Sequence, residues 1–148
     1  MTPLERGARL AALYQERILD HYRRPRHKGA LEQATGSHGE KNPLCGDAVC
    51  VAVRVSGGTV RDARYTGTGC SIMQATASML MELVRDRSCA EVVALERRFD
   101  AMLVSGVADD ALGELGALAG VAAFPTRHTC ARLPWKALSG ALVQSSGK

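Results

Sequence analysis

Asp47-Ala48-Val49-Cys50-Val51-Ala52-Val53-Arg54-Val55-Ser56-Gly57-Gly58-Thr59-Val60-Arg61-Asp62-Ala63-Arg64-Tyr65-Thr66-Gly67-Thr68-Gly69-Cys70 is the stretch that decides the fold. Val49, Val51, Val53 and Val55 alternate with Ala48, Cys50, Ala52 and Arg54, the period of two that a strand with unlike faces requires. Gly57-Gly58 supplies the positive φ angles of a type I′ turn, and Val60–Thr66 reads as the returning strand. Counting back from that turn puts Asp47 opposite Gly67–Thr68. A third strand is expected near Gly36–Glu40.

Outward from the hairpin the pattern becomes helical. Gly67-Thr68-Gly69 breaks the strand, and Ser71–Val84 carries Ile72, Thr76, Met79, Leu80 and Leu83 on one face. Ser88 and Glu91 form a capping box for the next helix, whose stripe is Val92, Leu95, Phe99, Met102 and Leu103 and whose stop is Gly106. Asp109-Asp110 opens a weaker helix through Leu112, Leu115 and Leu118, interrupted by three glycines. The last helix is expected to begin near Cys130 and to bury Leu133, Trp135, Leu138 and Leu142, with Pro134 tolerated only in its first turn. Upstream, Leu10, Tyr14, Ile18 and Tyr22, with Leu13 beside them, predict a surface helix that Pro25 ends. Arg23, Arg24, Arg26 and Lys28 around that end serve either as solvated cations at a helix C-terminus or as a docking patch. Strands and helices are segregated, an α+β pattern in one compact domain spanning 1–148, with Gln144–Lys148 expected to be a frayed tail.

At 148 residues, 46% of them apolar, the chain can bury a core without disulfide staples. No apolar run is long enough to span a bilayer, and the N-terminus lacks a signal pattern, so the expected setting is the cytoplasm. A net charge of +4, from 19 basic and 15 acidic residues, is mild, and the two Phe, three Tyr and one Trp do not interleave with the basic residues. That argues against a nucleic-acid groove and for a basic face turned to an acidic protein partner.

Five cysteines cannot all pair within one chain, and reduced, spaced thiols point to metal or sulfur chemistry. Cys45 lies in Asn42-Pro43-Leu44-Cys45-Gly46-Asp47, where Pro43 stiffens the loop and Gly46 lets it turn, so that Cys45 and Asp47 can face one point. Cys70 and, judged by Pro134, Cys130 sit at helix starts, which favour the thiolate. The hairpin brings Cys45 and Cys70 to one end; Cys130 must be delivered by the fold. Three thiolates and a carboxylate suit a tetrahedral zinc site, in which Asp is the more readily exchanged ligand. The competing reading is a set of separate small buried hydrophobes.

Four segments, Leu13–Gly29 (LYQERILDHYRRPRHKG), Asn42–Asp47 (NPLCGD), Gly67–Ala77 (GTGCSIMQATA) and Arg127–Leu138 (RHTCARLPWKAL), resemble the iron–sulfur cluster assembly proteins of the NifU/IscU type, and among them the SufU branch. The resemblance implies a SufE/NifU-like α+β fold and a metal site from Cys45, Asp47, Cys70 and Cys130. It also implies zinc as the cofactor and a sulfurtransferase-like role as a sulfur carrier. A SufS-type cysteine desulfurase is then the partner, a side chain of which replaces one ligand and frees Cys45 to take persulfide sulfur for a downstream iron–sulfur scaffold. Scaffold-type relatives carry His directly before the last cysteine; here it is Thr129, and the stretch from Cys70 to Cys130 is extended as in the SufU branch. The alternative implied by the family at large is a scaffold that assembles and transfers a [2Fe–2S] cluster on iron. Arg127 matches a branch feature expected to pair with Asp47 on ligand exchange.

The remaining candidates have plainer readings. His128, one place off the scaffold pattern, is read as a solvated histidine rather than a fourth ligand. Cys50 is read as buried packing and Cys89 as structural. His21 and His27 flank the basic helix end and need no metal, and His38 is a weak candidate for a partner contact. A non-catalytic role, with metal only holding the fold, is the third class of function.

Overall fold

The computed structural model describes residues 2–146, the side chain of Leu10 excepted. Thr2 caps the first helix, α1 (Pro3–Arg23): its hydroxyl accepts from the Glu5 N–H at 3.1 Å, and Pro3 occupies the first turn, where its missing N–H costs nothing. The helix ends where Asp20 receives both Arg24 Nε at 2.9 Å and Arg26 Nη2 at 2.6 Å. Those two cations of the basic end are therefore spent on an intramolecular carboxylate. Tyr14 and Ile18 are half-buried and His21 is buried, whereas Leu13 and Tyr22 are exposed. The inward stripe thus ends at a histidine rather than at Tyr22.

Three antiparallel strands follow in sequence order: β1 (Gly36–Asn42), β2 (Asp47–Ser56) and β3 (Thr59–Thr68). Gly57 and Gly58 take φ of 61° and 73°, as the turn requires. The valine face is the core face: Val49, Val51 and Val53 are buried and meet Val60, Ala63 and Tyr65 from β3. Cys50 is therefore turned outward and exposed, not packed, because the alternation leaves it on the face no helix covers. One irregularity matters for the site. A bulge at Arg54/Val55 shifts the register, so Ala48, not Asp47, faces Thr68.

Helix α2 (Ser71–Val84) lies against β3, and α3 (Cys89–Ser105) opens on the Ser88/Glu91 capping box and ends at Gly106 in the left-handed region, φ 74°. The weak helix, Asp110–Ala123, is a 3-10 segment broken at Gly113. Helix α4 (Pro125–Ser146) crosses β1 and β2. It approaches β1 at bare backbone: a Cβ on Gly36 would overlap the Ala141 carbonyl, and one on Gly140 would overlap the His38 ring. Trp135 from α4 packs on Phe99 of α3 with ring centroids 5.4 Å apart.

Two expectations about α4 need correction. It starts at Pro125, not near Cys130, so Pro134 sits deep inside it and cannot donate to the Cys130 carbonyl four residues back. The buried Leu133, Trp135, Ala137 and Leu138 hold the helix across that gap. At the other end, Gln144–Ser146 are helical: Gln144 Oε1 accepts from the Ser37 N–H at 2.5 Å, and Ser145 Oγ lies 2.7 Å from Thr35 Oγ1. Of the expected tail, Gly147 and Lys148 lie outside the described residues. The result is a single compact α+β domain, a three-stranded sheet with four helices. Among the described residues no helix is long and apolar enough to cross a membrane.

Candidate metal centre

The loop between β1 and β2 is wound around Asn42. Its carbonyl accepts from Cys45 N–H at 3.3 Å and Gly46 N–H at 2.9 Å, and its side-chain oxygen accepts from Leu44 N–H at 3.2 Å. Gly46 turns the chain at φ 74°. Leu44 is thereby pushed out, 96% exposed, while Asp47 is buried and the exposed Cys45 stays within reach of it. Asn42 was legible only as part of a loop; the signal that marks its role is an Asx residue two positions before a turn.

From the other side comes Cys70, the N-cap of α2, whose sulfur accepts from Met73 N–H at 3.5 Å. Its backbone N–H donates to Asp47 Oδ1 at 2.8 Å, and its sulfur lies 3.4 Å from Asp47 Oδ2. Helix α4 delivers Cys130, 1% exposed, with its sulfur 3.6 Å from that of Cys45. One ligand atom each from Cys45, Asp47 and Cys130 falls within 4.8 Å of the others. Cys70 joins the group through Asp47.

These distances test whether a metal fits. Sulfur ligands about 2.3 Å from a tetrahedral zinc stand about 3.8 Å apart, and a sulfur and a carboxylate oxygen about 3.6 Å apart. The observed 3.6 Å between Cys45 and Cys130 and 3.4 Å between Cys70 and Asp47 match these two separations. The Cys70 sulfur stands outside the 4.8 Å group of Cys45, Asp47 and Cys130 and would have to close on it around a metal. The donor set, three sulfurs and one oxygen, is suited to zinc and can also hold iron.

Electrostatics set the thiols apart. Burial alone would raise the Asp47 carboxyl, but the Cys70 N–H and the thiols of Cys45, Cys130 and Cys70 outweigh it and hold the group below the usual carboxylate range. Burial pushes the Cys130 thiol far above its ordinary value, and the neighbouring Asp47, Cys45 and Cys70 push it further. The expectation that a helix N-terminus would favour the Cys130 thiolate therefore fails, because Cys130 is the sixth residue of α4. A cation at the common point would favour the thiolate there.

Other candidates fall away from the centre. His128 places Nε2 3.1 Å from the Val121 carbonyl, so its ring is committed to the end of the 3-10 segment. Arg127 is exposed in the first turns of α4, and the Asp47 carboxylate is bonded to Cys70 rather than to a cation. His27 faces Glu82 at 3.2 Å and His38 faces Glu40 at 3.1 Å. Cys89 N–H donates to the Gly58 carbonyl at 2.9 Å, fastening α3 to the hairpin turn.

Residues 13–131 match the family described as NifU-like N terminal domain. The chain is 37% identical over 143 residues to the zinc-dependent sulfurtransferase SufU of Bacillus subtilis (strain 168), covering 95% of this chain and 97% of that one. It is 36% identical over 141 residues to the iron–sulfur cluster assembly scaffold protein IscU of Streptococcus pyogenes serotype M1, covering 94% and 88%. In fold it resembles the crystal structure of the N-terminal part of a NifU-like protein from Brucella abortus, with a TM-score of 0.83 at 22% identity, over 91% of this chain and 95% of that one.

Proposed function

The chain belongs to the NifU-like N-terminal domain family, and from that premise we propose that it is a zinc-dependent sulfur acceptor for iron–sulfur cluster assembly, loaded on Cys45 by a SufS-type cysteine desulfurase. The observation that carries this reading is the graded exposure of the three clustered thiols. Cys45 is exposed, Cys70 is half-buried and Cys130 is buried. A donor approaching from solvent reaches Cys45 first, on a loop that also holds out Leu44.

Zinc bound by Cys45, Asp47, Cys70 and Cys130 supplies the charge that keeps clustered thiols deprotonated at neutral pH. The transfer itself is a displacement at sulfur. The Cys45 thiolate attacks the terminal sulfur of the donor's persulfide, the donor S–S bond breaks, and the donor cysteine leaves as thiolate. One S–S bond forms and one breaks, so no outside oxidant or reductant is needed. Arg127, three residues ahead of Cys130, is the cation proposed to take the Asp47 carboxylate when ligands exchange. The whole of 1–148 is taken as one such domain, working in the cytoplasm and passing sulfur to a downstream scaffold.

The test is persulfide mapping by mass spectrometry after incubation with the desulfurase and cysteine. Cys45→Ala is expected to lose sulfur loading and stimulation of the desulfurase together, at least about 100-fold, as for removal of a nucleophile. Undiminished loading of that variant would sink the assignment. The similarity to the scaffold IscU supports a second reading, assembly of a [2Fe–2S] cluster. Anaerobic reconstitution that yields a stable cluster, transferable to an apo-protein, would favour it.

A further inference from the structure

We propose that Gly69 is a positioning residue for the Asp47 carboxylate: its missing side chain is the space in which that ligand sits. This rests on the metal-site reading given above and adds to it the residue that fixes where the one oxygen ligand stands.

The bulge at Arg54/Val55 sets which residue meets Asp47. With Ala48 opposite Thr68 and Val49 opposite Gly67, the same register carries Asp47 to Gly69, just beyond the end of β3. Gly69 adopts φ of 150°, a conformation that side-chain-bearing residues rarely take. A Cβ built there would overlap Asp47 Oδ1 and stand 2.8 Å from its Cγ and 3.0 Å from its Cα. The carboxylate thus occupies the space that a side chain at 69 would need. From there Oδ1 receives the Cys70 N–H at 2.8 Å, which leaves Oδ2 turned to the sulfurs, 3.4 Å from Cys70 Sγ. Asp47 is 1% exposed and has no open side into which to retreat.

A methyl group at 69 must therefore displace the carboxylate from the thiols, tilt the Cys70 N–H away from it, or both. Gly67 offers the contrast. A Cβ there would overlap the Ala48 carbonyl, a backbone group, so that glycine serves strand pairing and not the ligand.

The experiment is a double-mutant cycle on the full chain, reading zinc affinity by chelator competition and thermal stability of the metal-free protein. Gly69→Ala is expected to weaken zinc about 10- to 100-fold, the size of effect seen when a group that orients a ligand is lost. In the Asp47→Ala background, where Oδ1 and Cγ are gone, the same substitution should change zinc affinity by less than about threefold, since independent costs add and shared ones do not. Stability follows the same logic: Asp47→Ala should restore part of the melting temperature that Gly69→Ala removes, and should rescue folding if the single variant does not fold. Wild-type zinc affinity in folded Gly69→Ala overturns the proposal. So does an equal loss in both backgrounds, or a double variant no more stable than the single one. Failure of the underlying metal reading looks different: Asp47→Ala alone would then bind zinc as tightly as the wild type.

Discussion

Helix α2 touches two polar clusters, one at its cap and one eight residues, or about 12 Å, further on. At the far one, His21 Nδ1 lies 2.7 Å from Ser78 Oγ and His21 Nε2 bonds the Glu114 carboxylate. Ser78 Oγ also accepts the Arg26 N–H at 2.8 Å. The carboxylate can only accept, so Nε2 donates to it, and Nδ1 is partnered by the Ser78 hydroxyl. Each donor there has an acceptor, and α1, α2 and the 3-10 segment are tied together. At the near cluster the balance is different. Cys45, Asp47, Cys70 and Cys130 are all acceptors once ionised, and two backbone N–H groups, those of Cys70 and Met73, are their visible donors. A histidine bonded on both sides is complete. Converging thiols and a carboxylate are not, and a cation, as proposed above, would complete them.

The widest gap between the two clusters should open with Cys130→Ser. Removing the most buried sulfur is expected to weaken zinc by at least about 100-fold, more than the loss of a mere orienting group, and to abolish the zinc-dependent part of the melting temperature. Chelator competition and thermal melts with and without zinc measure both. Wild-type affinity in that variant would mean that the sulfurs are neighbours and not ligands, and the contrast would collapse.

Sequence patterning carried the hairpin, the Ser88/Glu91 cap and the extent of α2, because each depends on local chemistry: alternation, a Gly-Gly turn, an N-cap. It failed where distant packing decides. Nothing in Arg54-Val55 announces the bulge, so the register of Asp47 came out one residue away and the meeting with Gly69 stayed hidden. Pro134 pointed to a helix start, yet Pro125 was the better signal, since proline favours the first helical position and the buried face beyond it outweighs one lost hydrogen bond. Cys50 was assigned to the correct side of the strand, but that side opens to solvent because α4 packs on the opposite, valine face of β2. Cys130 could not be placed by any local rule; its position comes from α4 crossing the sheet.

His21→Ala tests the other cluster. It should cost about 2 to 4 kcal/mol of stability, from the cavity and the stranded partners left at Ser78 and Glu114, read by urea denaturation in chelator. Zinc affinity should stay at the wild-type value, because no ligand contacts the histidine. A variant that loses zinc in proportion to stability would show that the two clusters are one cooperative unit.

The finest distinction comes from acid. In metal-free protein the Asp47 carboxyl is held below the usual range, against the pull of burial, by the Cys70 N–H and the surrounding thiols. A carboxyl lowered on folding adds stability that is complete above its unfolded value, about 3.9, and disappears as pH falls through the lower folded value. Asp47→Asn keeps the shape and the bond from Cys70 but cannot ionise. The stability difference between wild type and this variant, followed by urea denaturation in chelator, should therefore be level from neutrality down to about pH 4.5 and shrink below about pH 4. A difference that changed near neutrality instead would assign the titration to a thiol, and the carboxylate would no longer be the group whose charge the near cluster is built to hold.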